Sequence, residues 1–292
     1  MTSNQKSSAS LPLNVPKGIL VVVGGNEDKE HNLEILRRIV SLPNDEAIRI
    51  EVITTASEIP EEIGLMYRKA FEKIGKNDFH HMDIRTREEA EDEENVQRLK
   101  DANIIFFSGG DQLRITSILG GSRVLRTIVN KYRNENCIIA GTSAGASAMS
   151  ETMIYGGESS EALQKGAVNV TAGIGLVKNI IIDSHFIKRG RFSRLMQIVS
   201  SNPGHIGLGL GEDTGVILVE GHILKTFGSG LVVMFDGQHI RYSNITAIND
   251  GEAIAVENVH VHTLADGHGY DLRRREYLKP SDIESSSLIC DC

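Results

Sequence analysis

The sequence has 292 residues, of which 40% are apolar and 24% are charged. These fractions are close to those of ordinary globular domains, so a hydrophobic core can form, and disorder of the whole chain is excluded. The 31 Lys and Arg residues are outnumbered by 39 Asp and Glu residues, and the net charge of −8 disfavours nucleic acid as a partner.

The first residues and the cysteines bear on where the protein works. No apolar run reaches the roughly 18 residues that a membrane span needs, and residues 1–16 lack the apolar segment of a secretory signal. We therefore expect a cytoplasmic protein without membrane contact. Cys137 lies in an apolar run, whereas Cys290 and Cys292 lie near the C-terminus. Two terminal cysteines are a weak ligand set, so we expect no metal and no cofactor.

The first half of the chain alternates between predicted strands and predicted helices. Strands are predicted at residues 18–23, 48–54, 79–84, 104–107 and 137–140, and helices at residues 30–42, 61–73 and 88–99. Several of the strand segments are continuously apolar, as is typical of strands buried on both faces of a parallel sheet. Their alternation with helices predicts an α/β fold with a doubly wound, mostly parallel sheet.

The second half of the chain is predicted to contain more strands. A strand at residues 180–182 and a helix at 193–199 are followed by short apolar segments between glycine-containing turns, which predicts a β-rich C-terminal part. We expect a single α/β domain over residues 17–279. It would be preceded by a flexible tail at 1–16 and followed by a loose, Ser-rich tail at 280–292.

The segment Gly141–Gly145 (GTSAG) matches the G-x-S-x-G pattern, with an apolar strand before it and a helix after it. A sharp turn from strand to helix would expose the Ser143 hydroxyl, and the small residues around it permit that turn. This context favours a nucleophilic serine over an ordinary glycine-rich turn. The backbone N–H groups of Ala144, at the helix start, and Gly110, at the end of a neighbouring strand, are candidate donors to an oxyanion.

A nucleophilic serine needs a base, and the base needs an acid that orients it. His185 follows the strand at 180–182, so we expect it at the same carboxyl edge of the sheet as Ser143. Glu212 follows a further apolar stretch and could orient the imidazole, and Asp183 is the alternative. The order Ser, His, acid differs from the Ser, acid, His order of the α/β-hydrolases and disfavours that fold.

A basic cluster follows the predicted strand that carries His185. It contains Lys188, Arg189, Arg191 and Arg194, with Arg191 and Arg194 on one face of a helix. Guanidinium groups bind carboxylates through two parallel hydrogen bonds, so such a cluster beside a nucleophilic serine suggests an acidic substrate. A solvated helix face is the alternative interpretation.

Five short motifs follow one another between about residues 17 and 235. They are GGN at 24–26, GGDQ at 109–112, GTSAGA at 141–146, DSHF at 183–186 and RGRFSRL at 189–195. In this set the chain resembles the cyanophycinases, serine exopeptidases related to peptidase E. The resemblance implies a homodimer and a fold similar to class I glutamine amidotransferases. It also implies the substrate cyanophycin, a polyaspartate with an arginine on each side chain, from which β-aspartyl-arginine dipeptides are released.

The resemblance also implies roles for individual residues. Ser143 would be the nucleophile, His185 the general base and then acid, and Glu212 the third member of the triad. The residues implied for the substrate pocket are Gln112, Asp183, Arg189, Arg191 and Arg194. The arginines suit the carboxylates of the substrate, and Asp183 suits its guanidinium group.

Two other functions stay open at this point. A peptidase E-like aspartyl dipeptidase would share the serine motif and the preference for an acidic substrate, although the arginine cluster favours a cyanophycinase. A non-catalytic binding protein on the same fold is the alternative outside the enzymes. A classical glutamine amidotransferase would need a cysteine at the position of Ser143. The sequence does not separate Glu212 from Asp183 as the acid, and it does not reveal a dimer interface.

Overall fold

The computed structural model describes residues 15–45, 47–157 and 163–285, with only the backbone at 284 and 285. Within these ranges the helices are α1 (Glu34–Val40), α2 (Pro60–Lys73), α3 (Glu93–Asp101), α4 (Gln112–Leu119), α5 (Arg123–Asn134), α6 (Ala144–Ala148), α7 (Phe192–Ser201) and α8 (Pro280–Ser285). The strands are β1 (Ile19–Val23), β2 (Ile50–Ile53), β3 (Phe79–Met82), β4 (Ile104–Phe107), β5 (Ile138–Thr142), β6 (Thr152–Gly156), β7 (Asn169–Ala172), β8 (Ile180–Asp183), β9 (Ile206–Leu210), β10 (Thr214–Val219), β11 (Ile223–Gly228), β12 (Val232–Asp236), β13 (Tyr242–Ser243), β14 (Val256–Glu257), β15 (His260–Leu264), β16 (Gly269–Asp271) and β17 (Glu276–Leu278).

The main sheet contains nine strands in the order β17-β16-β11-β10-β1-β5-β4-β2-β3. The five strands β1, β5, β4, β2 and β3 are parallel to one another. The four strands β10, β11, β16 and β17 join them as an antiparallel extension. The prediction of an α/β fold with a parallel sheet and a β-rich C-terminal part is confirmed. The C-terminal strands β10, β11, β16 and β17 extend the same sheet.

Helices cover both faces of the parallel half of this sheet. Successive side chains of a strand point to opposite faces, so Ile104 and Phe106 of β4 pack in the cluster that includes α1 and α2. Ile105 and Phe107 pack in the cluster that includes α3 and α5. Burial on both faces is the reason that the strand sequence is continuously apolar.

The helix predicted over residues 88–99 is interrupted in the structure. A 3₁₀ helix covers Glu89–Glu91, and α3 begins only after Asp92. The Asp92 backbone is extended, and its side chain accepts a hydrogen bond of 3.1 Å from the backbone N–H of Glu94. Because an aspartate at this place satisfies the free N–H groups of a new helix, it favours a helix start over continuation. The prediction of one continuous helix is therefore wrong.

A second sheet carries part of the predicted site. It has four strands in the order β15-β12-β9-β8, and β8 is parallel to β9. His185 follows β8 and Glu212 follows β9, so both leave this second sheet, while Ser143 follows β5 of the main sheet. The expectation that one sheet edge carries His185 and Ser143 is wrong. The chain passes from the second sheet to the main sheet between β9 and β10, and Glu212 lies in that connection.

The C-terminal segment is partly folded. Helix α8 covers Pro280–Ser285, and Ile283 is buried against Ile223 of β11. The first six residues of the predicted loose tail are therefore helical, because an apolar side chain anchors them. Residues 286–292, which include Cys290 and Cys292, lie outside the described residues, as do residues 1–14 of the predicted N-terminal tail.

Membrane-spanning helices and clusters of metal ligands are both absent from the described ranges. No helix in these ranges combines the length and apolar character that crossing a membrane requires. The same residues contain no group of three or more His, Cys, Asp or Glu side chains that could hold a metal ion.

Candidate active site

Ser143 lies at a sharp turn between β5 and α6. Its backbone has φ 51° and ψ −113°, a strained conformation for a residue with a side chain. The Ser143 N–H donates a hydrogen bond of 3.0 Å to the carbonyl of Val23 in β1, which holds the turn against the sheet. Only glycine fits at position 145 in this turn, because a Cβ there would overlap the Phe107 carbonyl. The predicted strand–serine–helix turn is thus present and is only partly buried at Ser143.

Ser143, His185 and Glu212 form one hydrogen-bonded chain. The Oγ of Ser143 is 2.9 Å from Nε2 of His185, and Nδ1 of His185 is 2.8 Å from Oε1 of Glu212. The His185 side chain is 15% exposed and that of Glu212 is 28% exposed, so solvent reaches the acid more easily than the base. The short distance from Nδ1 to Oε1 identifies Glu212, of the two candidate acids, as the one that contacts the imidazole.

The surroundings of Glu212 favour its charged form. The hydrogen bond from His185 lowers the pKa of the Glu212 carboxyl below its ordinary value. The Nδ2 group of Asn26 also donates a hydrogen bond of 3.2 Å to Oε2 of Glu212. An ionised carboxylate in this place fixes the tautomer of His185 with the proton on Nδ1, which leaves Nε2 free to accept the Ser143 proton. This arrangement can activate a serine for nucleophilic attack.

The two predicted oxyanion donors lie next to the serine turn in the fold. Ala144 is the first residue of α6, and the N–H groups in the first turn of a helix have no acceptor within that helix. Gly110 has φ +142°, and a Cβ there would overlap the Ala56 carbonyl, so only glycine fits. A Cβ at the neighbouring Gly109 would lie 3.3 Å from Cβ of Ser143. The role of Gly110 and Ala144 as donors stays a prediction.

Asp183, Arg191 and Arg194 form a separate buried cluster. Asp183 is 2% exposed. Its Oδ1 is 3.0 Å from Nη1 of Arg191 and its Oδ2 is 3.2 Å from Nε of Arg194. Nη1 of Arg191 also donates to the Ser184 carbonyl, and Nη1 of Arg194 donates to the Gly157 carbonyl. The structure thus pairs these predicted substrate-binding residues with one another, because a buried carboxylate needs opposite charges nearby.

The other two predicted substrate-binding residues lie nearer the surface. Arg189 is exposed, and its backbone N–H donates a hydrogen bond of 3.0 Å to the backbone carbonyl of His185. Gln112 begins α4, and its Nε2 donates a hydrogen bond of 3.1 Å to the carbonyl of Ile154 in β6. Contact of these residues with a substrate stays a prediction.

The loop after β1 carries the GGN motif, for which the sequence indicates no individual residue roles. Gly24 accepts a hydrogen bond of 2.8 Å from the backbone N–H of His185, and a Cβ at Gly25 would overlap the imidazole ring. Asn26 contacts Glu212. One sequence feature could have identified this polar, glycine-rich loop, namely its position at the carboxyl end of a buried strand. The same feature identified the other site residues.

The sequence matches known proteins over most of its length. Residues 19–226 match peptidase family S51. A cyanophycinase from Nostoc sp. is 34% identical over 280 residues, which cover 95% of this chain and 94% of the relative. A cyanophycinase from Geminocystis herdmanii is 32% identical over 257 residues, which cover 88% of this chain and 94% of the relative.

Solved structures agree with this match at the level of the fold. A peptidase from an acI-B1 actinobacterium has a TM-score of 0.63 at 21% identity, and the match covers 88% of this chain and 98% of that one. A putative peptidase E from Listeria monocytogenes has a TM-score of 0.51 at 17% identity, covering 73% of this chain and 99% of that one. The family match spans well over half of the sequence, and this chain therefore belongs to peptidase family S51.

Proposed function

We propose that this protein is a serine exopeptidase that hydrolyses cyanophycin to β-aspartyl-arginine dipeptides through an acyl-enzyme. The observation that carries this proposal is the continuous hydrogen-bonded chain from Ser143 through His185 to Glu212. The family supports a peptidase, and the relatives named cyanophycinase support the substrate.

In the proposed reaction, Nε2 of His185 takes the proton of Ser143 as Oγ attacks the carbonyl carbon of the scissile bond. The carbonyl oxygen becomes an oxyanion that accepts hydrogen bonds from the N–H groups of Gly110 and Ala144. His185 then gives its proton to the leaving amine, and an acyl ester remains on Ser143. Water, deprotonated by His185, attacks this ester and releases the second product, which restores the hydroxyl of Ser143. Glu212 stabilises the imidazolium in both halves.

The arginine cluster would bind the carboxylates of the substrate. Asp183, Arg191 and Arg194 together keep one net positive charge, and the exposed Arg189 adds another. Gln112 would add a neutral polar contact. Asp183 faces two arginines and is 2% exposed, so a contact with the guanidinium group of the substrate would need an arginine to move aside.

Several broader features belong to the same proposal. The resemblance to cyanophycinases implies a homodimer and a fold similar to class I glutamine amidotransferases. We also expect a cytoplasmic enzyme, and no helix among the described residues is long and apolar enough to cross a membrane. We expect the reaction to need no metal and no cofactor, since the triad supplies both the nucleophile and the base.

The proposal is tested by incubating the protein and its Ser143→Ala variant with insoluble cyanophycin. Turbidity reports the loss of polymer, and mass spectrometry identifies the soluble products. We expect clearing to β-aspartyl-arginine by the unmodified protein alone. Activity only on short aspartyl dipeptides would instead indicate a peptidase E-like enzyme. Inactivity on both substrates, with no labelling of Ser143 by a fluorophosphonate probe, would indicate a binding protein.

A further inference from the structure

Four consecutive residues after β1 contact His185, Glu212 and the residue before Ser143. Gly24 binds the backbone of His185, and Gly25 lies beneath its imidazole ring. Asn26 binds the carboxylate of Glu212. Glu27 completes the set, because Oγ1 of Thr142, the residue directly before Ser143, donates a hydrogen bond of 2.6 Å to its Oε2. We call residues 24–27 the β1 loop.

Glu27 is a buried charged group that the proposed reaction does not use. The residue is 3% exposed. Besides Thr142, it accepts a hydrogen bond from the Tyr67 hydroxyl, and its Oε1 lies 2.9 Å from Nζ of Lys29. A buried carboxylate is stable only with such partners, and Glu27 keeps Tyr67 and Lys29 when the Thr142 hydroxyl is removed. The Thr142 contact can therefore be removed by itself.

The hydrogen bond between Thr142 and Glu27 lies directly beside the nucleophile. Thr142 is the last residue of β5 and pairs with Val23 of β1. The next residue, Ser143, has the strained φ of 51° that points its hydroxyl at His185. A strained residue keeps its conformation only where the surrounding contacts determine it more than once. The backbone bond from Ser143 to Val23 supplies one such restraint, and the bond from Thr142 to Glu27 supplies a second.

We propose that Glu27 is a positioning residue for the Ser143 nucleophile, acting through the Thr142 hydroxyl, and that the β1 loop thereby aligns all three triad members. The inference rests on the proposed function of Ser143. Glu27 does not touch the reacting atoms, and its effect is to hold Oγ of Ser143 at the distance of 2.9 Å from Nε2 of His185. Displacements of about 1 Å in such a geometry can lower a rate about 100-fold.

A role in fold stability alone is the competing explanation, and the chain offers a matched pair of variants to separate the two. Thr142→Val and Tyr67→Phe each remove one hydroxyl that donates a hydrogen bond to the Glu27 carboxylate, and each nearly keeps the volume of the side chain. Thr142 adjoins the nucleophile, whereas Tyr67 lies in α2 and packs against Phe106. A structural role predicts similar effects of both variants, whereas a positioning role predicts a large catalytic effect of Thr142→Val only.

The experiment measures four quantities for both variants and for Thr142→Ser. These are kcat and KM on cyanophycin, the rate of Ser143 labelling by a fluorophosphonate probe, and the melting temperature. We expect Thr142→Val to lower kcat and the labelling rate at least tenfold with KM within about twofold. We expect Tyr67→Phe to change kcat less than about threefold, and Thr142→Ser, which keeps the hydroxyl, to recover most of the activity.

Two results would contradict the inference. Equal losses of kcat in Thr142→Val and Tyr67→Phe that follow their losses in melting temperature would assign Glu27 to the fold only. Full kcat and a normal labelling rate in Thr142→Val would show that the hydroxyl is not needed. In both cases an active parent protein leaves the proposed function intact. A parent protein that neither cleaves cyanophycin nor reacts with the probe would overturn the proposed function, and the inference with it.

Discussion

Two carboxylates follow neighbouring parallel strands and have different surroundings. Asp183 is the last residue of β8, it is 2% exposed, and two guanidinium groups hold its two oxygens. Glu212 follows β9, its side chain is 28% exposed, and it holds an imidazole nitrogen. The sequence leaves both of them as candidates to orient His185, and the structure connects only Glu212 to its imidazole.

The difference separates the environment of an acid that pairs with arginines from that of the acid proposed to be catalytic. Burial raises the pKa of the Asp183 carboxyl, while the two arginines favour its charged form, and the loss of this carboxylate would leave two guanidinium groups without a counter-charge. A partly exposed carboxylate on an imidazole can stabilise the extra charge that the ring gains during the reaction. We therefore expect substitutions of Asp183 to act mainly on stability and substitutions of Glu212 to act mainly on rate.

The largest effect is expected for Glu212→Gln. The amide keeps the size of the side chain but favours the tautomer of His185 that carries its proton on Nε2, which cannot accept the Ser143 proton. We expect kcat on cyanophycin to fall about 10³-fold or more, with a melting temperature within a few degrees of the parent. A variant that keeps more than a tenth of the parent kcat would show that Glu212 is not the orienting acid.

Asp183→Asn is the matching change on the other carboxylate. It leaves Arg191 and Arg194 without their counter-charge, and we expect the free energy of unfolding to fall by about 3 kcal/mol. Urea unfolding followed by circular dichroism measures this. Unchanged stability together with a loss of kcat as large as that of Glu212→Gln would reverse the assignment of the two acids.

The pH dependence of stability tests the lowered pKa of Glu212. Because the hydrogen bond from His185 lowers the pKa of Glu212 in the folded state, the stability that this group contributes is present above its unfolded pKa of about 4.3. It is lost as the pH falls through the lower, folded-state pKa. We expect the Glu212→Gln variant to lose less stability than the parent between about pH 5 and pH 3. Parallel curves for the two proteins would contradict the lowered pKa.

The smallest effect is expected for Asn26. Its φ of 52° tolerates glycine, so Asn26→Gly removes the hydrogen bond to Glu212 without backbone strain. We expect kcat/KM to fall about fivefold, since the bond is exposed and worth about 1 kcal/mol. Asn26→Asp places a second carboxylate against Glu212, and we expect a larger loss. If both variants match the parent protein, the Asn26 contact does not contribute to the alignment of Glu212.

Much of the site was predictable because its signals are local. Ser143, His185 and Glu212 each follow an apolar strand, and the carboxyl ends of such strands are where polar side chains gather in this class of fold. The interruption at Asp92 was missed because a single capping side chain outweighed the helical pattern on both sides. The β1 loop was missed because its contacts reach residues more than 100 positions away in the chain.

The sequence by itself determined the parallel half of the main sheet, the serine turn and the order of the candidate triad. These follow from apolar runs, small residues at a turn and strand ends, which are properties of short segments. Only the tertiary structure decided that His185 and Glu212 leave a second sheet, that Asp183 pairs with arginines, and that the β1 loop contacts His185, Glu212 and the residue before Ser143. Each of these depends on contacts between distant segments, and the composition of a segment does not specify its partner.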